Sequence, residues 1–245
     1  MQAGLLSKHP GARWLADKNP RYHLFYKELR DLFPDASFLF LLRNPLAVAA
    51  SYLTTWTPGI WSLPYLEPML QQDFQQFAAA LDDTAGLHHH VMKFEDLLSQ
   101  PQSELDALSR FLGLSTPLQP DRLAELSGPG DGRRAPPPPS NPSAPTAWAG
   151  VFRSPTRRRW AHRFINLLPP AYARHGYTLE ALRADLESTP PRWWDPRDAI
   201  AAAVLSRIRR NAGPDLLLDL IWKARQRLKI RRKSRRHKPR PSWLE

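Results

Sequence analysis

Ser37-Phe38-Leu39-Phe40-Leu41-Leu42-Arg43-Asn44-Pro45-Leu46-Ala47-Val48-Ala49-Ala50-Ser51-Tyr52 is the stretch on which the reading of the chain turns. Its five consecutive apolar residues, Phe38 to Leu42, have the length of a strand and the composition of one buried on both faces, as in a parallel sheet. The run ends at Arg43. Asn44 and Pro45 then read as a helix start, Asn as N-cap and Pro at the first helical position. The Ala-rich sequence to Tyr52 continues as helix. An arginine therefore stands at the carboxyl end of a strand beside a helix N-terminus, where ligands bind in open α/β sheets. The helix start is expected to offer free N–H groups and a partial positive charge, and Arg43 adds a full charge and a planar fork of donors. Ser51, about two turns into the helix, adds a hydroxyl. From these residues alone, an anion site and a purely structural strand end both stay open.

Outward from this stretch the pattern is α/β. Upstream, Tyr22, Phe25, Leu29, Leu32 and Phe33 recur at helical spacing, so Arg21 to Phe33 reads as an amphipathic helix ended by Pro34-Asp35. Downstream, Thr54 to Leu70 holds Trp56, Trp61 and Tyr65 among Pro58, Pro64 and Pro68, aromatics that stack on a ring substrate or pack beneath a loop. Phe74, Phe77, Ala78 and Leu81 give a helix from Leu70 to Leu81. His88-His89-His90 cannot all turn toward one ion on a strand, and no further ligand sits at a zinc spacing, so no metal is expected. Val91 to Phe94 reads as a short strand. Phe94-Glu95-Asp96-Leu97-Leu98, Pro101 and a helix from Glu104 to Leu112 stopped by Gly113 form one unit, with Glu95 and Asp96 fixing the helix start.

The C-terminal half changes character. Gly128 to Pro145 holds seven prolines and three glycines, a linker or mobile loop. Order returns from Ala147 to Tyr177, where Trp160 and Phe164 share a helical face and Gly176 precedes Tyr177. Four segments follow: an α/β core over 1–127, the Pro-rich stretch 128–146, a second ordered part over 147–190, and a helical basic tail over 191–245. The net charge of +12 is concentrated: eleven Lys and Arg lie between Lys223 and Arg240, and the first 222 residues carry a net of +2. Asp215 to Lys233, apolar at first and then basic, suits an anionic membrane surface or another polyanion, or docking on its own domain with only the last turns free. There is no cysteine and no uninterrupted apolar run of spanning length, which favours a cytoplasmic protein, peripheral at a membrane surface through the tail.

The run from Asp17-Lys18-Asn19-Pro20 through a helix, Phe33-Pro34-Asp35-Ala36 and the strand ending at Arg43 resembles the sulfotransferases that use 3′-phosphoadenosine 5′-phosphosulfate (PAPS). Phe94-Glu95-Asp96-Leu97, Pro101 and Phe111-Leu112-Gly113 resemble a later unit of that family, with Phe94 in place of the usual tyrosine. Trp148 to Arg153 followed by Trp160 resembles its late nucleotide-covering segment loosely, since the familiar Arg-Lys-Gly is absent. The resemblance covers about Trp14 to Tyr177. It implies a parallel sheet flanked by helices in the manner of phosphate-loop nucleoside triphosphatases. It implies that Arg43 and Ser51 hold the 3′-phosphate, that Arg153 makes a second phosphate contact, and that Lys18 faces the acceptor site. The family's first strand and Lys-Ser/Thr-Gly-Thr loop for the 5′-phosphosulfate are not found; Ser7-Lys8-His9-Pro10 is not such a loop. The fold is therefore expected to be N-terminally incomplete.

The implied activity is transfer of a sulfuryl group from PAPS, without a metal, to a hydroxyl or amine acceptor of carbohydrate or lipid class. With the loop missing, this chain is expected to turn over poorly. The competing reading is a non-catalytic polyanion or nucleic-acid binder acting through the basic tail. It explains residues 223–240 but not the ordered series Lys18, Arg43, Ser51, Glu95, Asp96, and no specific nucleic acid is expected.

Overall fold

Two short parallel strands carry the functional end of the molecule. β1 (Phe38–Leu42) pairs with β2 (His89–Lys93) in the register Phe38 opposite His89 through Leu42 opposite Lys93. A parallel pair requires a long crossover, and two helices supply it: α2 (Pro45–Trp56) and α3 (Leu63–Asp82). Before β1 lie a 3-10 turn (Tyr22–Phe25) and α1 (Tyr26–Leu32). After β2 come α4 (Phe94–Ser99) and α5 (Pro101–Phe111). A 3-10 turn (Ala147–Phe152) leads into α6 (Pro155–Ile165), α7 (Pro170–Arg174) and α8 (Leu179–Glu187). This computed structural model describes residues 14–56, 61–121 and 147–193, with residues 196, 198, 200, 201 and 203. The Pro-rich stretch 128–146 and the basic residues 223–240 lie outside them. The architecture is α/β, a small parallel sheet with flanking helices, and among the described residues the sheet has these two strands.

β1 is not buried on both faces. Phe40 and Leu42 point into the core, whereas Leu39 and Leu41 are 47% and 50% exposed. A five-residue apolar run carries no sign of which face is covered, because a one-face strand and a two-face strand differ only in their polar positions. On the open face, cover is confined to the β2 side, where His88 and His90 stack on Phe111 of α5 with ring centroids 4.4 and 5.2 Å apart. The helix before β1 also departs from its pattern. It is a 3-10 turn running into seven α residues; Tyr26 is its buried side chain, while Phe25, Leu32 and Phe33 are exposed. β2 starts at His89, two residues before the expected strand.

α3 begins at Leu63, well before Leu70, with Pro64 in the first turn where no N–H is needed. Trp61 and Tyr65 are buried, so these aromatics pack rather than face solvent. They join one aromatic core. Phe74 meets Phe164 and Tyr172 edge-on at 5.8 and 5.3 Å, Trp160 stacks on Phe164 at 4.7 Å, and Trp61 meets Trp160 edge-on at 5.7 Å. Such pairs each add about 0.5–1.5 kcal/mol beyond area burial. They fasten the segment after residue 147 onto the sheet-bearing half.

Two helices end in the same way. The Gly113 N–H donates to the Arg110 carbonyl and the Leu114 N–H to that of Ser109, while the Gly176 N–H donates to Ala173 and the Tyr177 N–H to Tyr172. Both glycines have positive φ, 60° and 88°. These are Schellman stops, in which a residue without Cβ takes the left-handed conformation. The second one aims Tyr177 back at the carboxyl edge of the sheet.

Candidate anion site at the carboxyl edge of the sheet

Strand register builds the site. Because Leu42 lies opposite Lys93, the next residues, Arg43 and Phe94, leave the sheet side by side. The Arg43 guanidinium lies over the Phe94 ring, 4.6 Å from its centroid. It is half-buried, and its buried Nε has no hydrogen-bond partner. No hydrogen bond or ion pair is made by the Arg43 side chain among the described residues. Buried donors almost always find acceptors, so an arginine held against a ring with its fork open calls for a ligand. Burial pulls the guanidinium below its ordinary pKa, and the nearby Glu95 carboxylate opposes this. A phosphate would do the same. Phe94 lacks the phenol of the family's tyrosine, but the ring alone supplies the stacking face.

The helix start is occupied, contrary to expectation. Asn44 is indeed the N-cap of α2, and its Oδ1 accepts from the N–H groups of Leu46 and Ala47 at 2.9 and 3.3 Å. Pro45 has no N–H, and the Val48 N–H bonds the Asn44 carbonyl at 3.0 Å. The donors of the first turn are therefore taken, and Asn44 is buried. What remains for an anion is the helix field and the charge of Arg43.

Asn44 and Glu95 join this edge to the C-terminal segment. The backbone N–H of Asn44 donates to Glu95 Oε1 at 2.9 Å, and the Tyr177 hydroxyl donates to Glu95 Oε2 at 2.6 Å. The Asn44 side-chain amide donates to Asp185 Oδ2 of α8 at 3.1 Å. Burial, then the Glu95 carboxylate, raises the pKa of Asp185. Burial, then the hydrogen bond to Glu95, pushes the Tyr177 phenol far above its ordinary value. A cavity of about 260 Å³ lies among these groups, walled on its apolar side by Trp148 and Leu182. The sequence pointed to Glu95 only as a helix-start residue. Its two partners come from other elements, and no local signal marks them.

The other expected residues are distributed as follows. Ser51 falls with Val48 and Tyr52 on the partly exposed stripe of α2, and its hydroxyl has no partner among the described residues. Lys18 is exposed in a loop whose Asp17 accepts from the Lys18 N–H and from the Tyr22 hydroxyl. That loop is tied to α3 by Arg21 and His23, both on Asp73, at 3.5 and 3.4 Å. Arg153 is turned elsewhere: its Nε–H donates to the Pro190 carbonyl at 3.1 Å, and no bond joins it to Arg43 or Ser51. In the basic run that follows it, Arg157 pairs with Asp198 and lies over Trp61, and Arg158 donates to the carbonyls of Leu186 and Thr189. Two of the histidines at 88–90 have polar partners, His88 Nδ1 lying 2.8 Å from Ser37 Oγ and His89 Nδ1 3.0 Å from the Leu87 carbonyl, whereas His90 stacks on Phe111 and its buried Nε2 has no hydrogen-bond partner among the described residues. No helix among the described residues is long and apolar enough to cross a membrane.

Residues 2–118 match the family model described as the sulfotransferase family. The chain is also 50% identical over 122 residues to Nodulation protein NoeE of Sinorhizobium fredii (strain NBRC 101917 / NGR234). That alignment takes in 42% of this chain and 29% of the relative, so the chain spans less than a third of the relative's length. No solved structure matches significantly. The sulfotransferase match contains Arg43, Ser51, Phe94 and Glu95 and ends before Tyr177 and Asp185. The site's supporting network thus reaches beyond the matched residues.

Proposed function

We propose that this sulfotransferase-family chain binds the 3′-phosphate of PAPS through Arg43 and Ser51. The observation that carries this is the Arg43 guanidinium, stacked on Phe94 at the carboxyl edge of β1 and β2 with no acceptor of its own. The donor set fits a phosphate: a fork of charged N–H groups beside a helix start, with an unpaired hydroxyl further along the helix. PAPS supplies the sulfuryl group; the acceptor is a hydroxyl or amine, of carbohydrate or lipid class. Lys18, exposed and unpaired in its loop, faces that acceptor. Arg153, whose Nε–H is held by the Pro190 carbonyl, keeps its terminal N–H groups for a second phosphate contact.

Arg43 and Ser51 neutralise the 3′ end of the nucleotide. In-line transfer also needs charge stabilisation at the breaking bond, which these two residues do not supply. On this reading the 245-residue chain binds nucleotide but turns over little PAPS.

Isothermal titration with adenosine 3′,5′-bisphosphate and adenosine 5′-monophosphate tests the assignment. The bisphosphate is expected to bind more tightly, and Arg43→Ala to remove most of the difference, about 1.5–3 kcal/mol. Equal affinities in the wild type would sink it.

A further inference from the structure

Glu95 lies beside Arg43 without pairing with it. Its backbone neighbour Phe94 is under the guanidinium, and its carboxylate reaches the N–H of the residue next to Arg43. An unencumbered carboxylate in that place would close on the arginine, since a half-buried guanidinium with open donors is the strongest partner available. Both oxygens are instead held. Oε1 takes the Asn44 backbone N–H and Oε2 takes the Tyr177 hydroxyl, at 2.9 and 2.6 Å. The first partner is fixed by the backbone. The second is a side chain from the far end of the fold, aimed by the Schellman turn at Gly176.

We propose that Tyr177 is a positioning residue for the anion site: by occupying Glu95 Oε2 it holds that carboxylate off Arg43 and leaves the guanidinium open to a phosphate. The inference deepens the assignment of Arg43 to the 3′-phosphate and rests on it for its nucleotide readout. It also gives the segment after residue 147 a task in the sulfotransferase half. The Tyr177 hydroxyl touches no ligand; it acts through Glu95. The Glu95 carboxylate is close enough for its charge to oppose the effect of burial on the Arg43 guanidinium.

The test is a pair of variants, Tyr177→Phe and the double variant Tyr177→Phe/Glu95→Gln, each checked for folding by its thermal melt. In Tyr177→Phe, Glu95 Oε2 is released and is expected to pair with Arg43. The preference for adenosine 3′,5′-bisphosphate over adenosine 5′-monophosphate should then fall about tenfold. In the double variant the glutamine keeps an acceptor for the Asn44 N–H but has no charge to offer Arg43, and the preference should return. A purely structural role for Tyr177 would not be rescued by a second substitution. An unchanged preference in Tyr177→Phe, or a loss the double variant does not repair, would overturn the proposal. If the wild type shows no preference at all, the 3′-phosphate assignment fails, and crystal structures of wild type and Tyr177→Phe settle the present point alone. An Arg43–Glu95 ion pair within salt-bridge distance only in Tyr177→Phe upholds it, and its absence there refutes it.

Discussion

Arg43 and Arg157 are the same side chain set to opposite uses. Arg157 has its Nε and one terminal nitrogen on the two oxygens of Asp198 at 2.8 and 2.7 Å, its other terminal nitrogen on the Val151 carbonyl at 3.2 Å, and its plane over Trp61. Asp198 is 2% exposed and also accepts from Ser154. Every feature that would serve a ligand is already satisfied by the protein. Among the described residues Arg43 has the ring but none of the acceptors, and the nearby Glu95 carboxylate is bonded elsewhere. A basic cluster in a sequence is therefore poor guidance to an anion site. The accounting of acceptors separates an arginine that fastens the fold from one left open.

The largest effect expected from this contrast is on stability. Asp198→Ala leaves Arg157 and Ser154 facing a buried gap, and breaking one side of a buried charge pair costs about 3–5 kcal/mol. Chemical denaturation should show that loss, while molecules still folded should keep their nucleotide preference. The reverse pattern is expected at Arg43. Arg43→Met should abolish the 3′-phosphate preference, about 1.5–3 kcal/mol. It should change unfolding free energy by less than about 1 kcal/mol, because only a stacking contact on Phe94 is altered. A loss at Arg43 as large as that at Asp198 would mean that both arginines are structural.

A smaller effect tests the ring beneath Arg43. Phe94→Leu keeps the volume roughly but removes the π face, and a partly exposed cation–π contact is worth about 0.5–1 kcal/mol. Titration should show the bisphosphate preference reduced by that amount and not abolished. Phe94→Tyr keeps the aromatic face, so the preference should be retained. If Phe94→Leu binds as tightly as wild type, the ring does not hold Arg43 in place.

How far the sequence revealed this contrast depends on the distance of each partner. The strand, Arg43, the Asn44 cap and the glycine stop at Gly113 were legible because each depends on neighbours within a few residues. Arg43 over Phe94 needed the strand register, which local pattern does not fix. Tyr177 reaches Glu95 across 82 positions, and Asn44 reaches Asp185 across 141. No periodicity encodes such a pairing. The sequence also suggested that the first turn of α2 was open, although it named Asn44 as the cap that closes it. A good N-cap and a free anion-binding turn are alternatives, since both use the same N–H groups. The exposed face of β1 was hidden for another reason: Leu39 and Leu41 are as apolar as the buried Phe40 and Leu42, so composition alone reads as two covered faces.

The smallest expected effect is a pH dependence at the group that keeps Arg43 open. Burial and the bond to Glu95 raise the Tyr177 phenol far above the ordinary tyrosine value of about 10. In the unfolded chain the phenol ionises near that ordinary value, while in the folded chain it stays protonated. Above that pH the unfolded state therefore binds fewer protons, and stability falls as pH rises. At the unfolded midpoint Tyr177 accounts for about 0.4 kcal/mol, and the loss grows with each further rise in pH. Tyr172, raised likewise by burial, acts in the same direction. So does Tyr26, pushed up to about 12 by burial and Asp83. Tyr177→Phe should remove one share only. Denaturation at pH 8 and at pH 10 would show a shallower decline in the variant than in the wild type. At pH 8, where no tyrosine ionises in either state, any difference between the two proteins reports the hydrogen bond to Glu95 itself, separate from its titration. An identical decline in both would mean that Tyr177 ionises as readily folded as unfolded. The hydroxyl would then not be held on Glu95, and the device that leaves Arg43 free while Arg157 is bound would be lost.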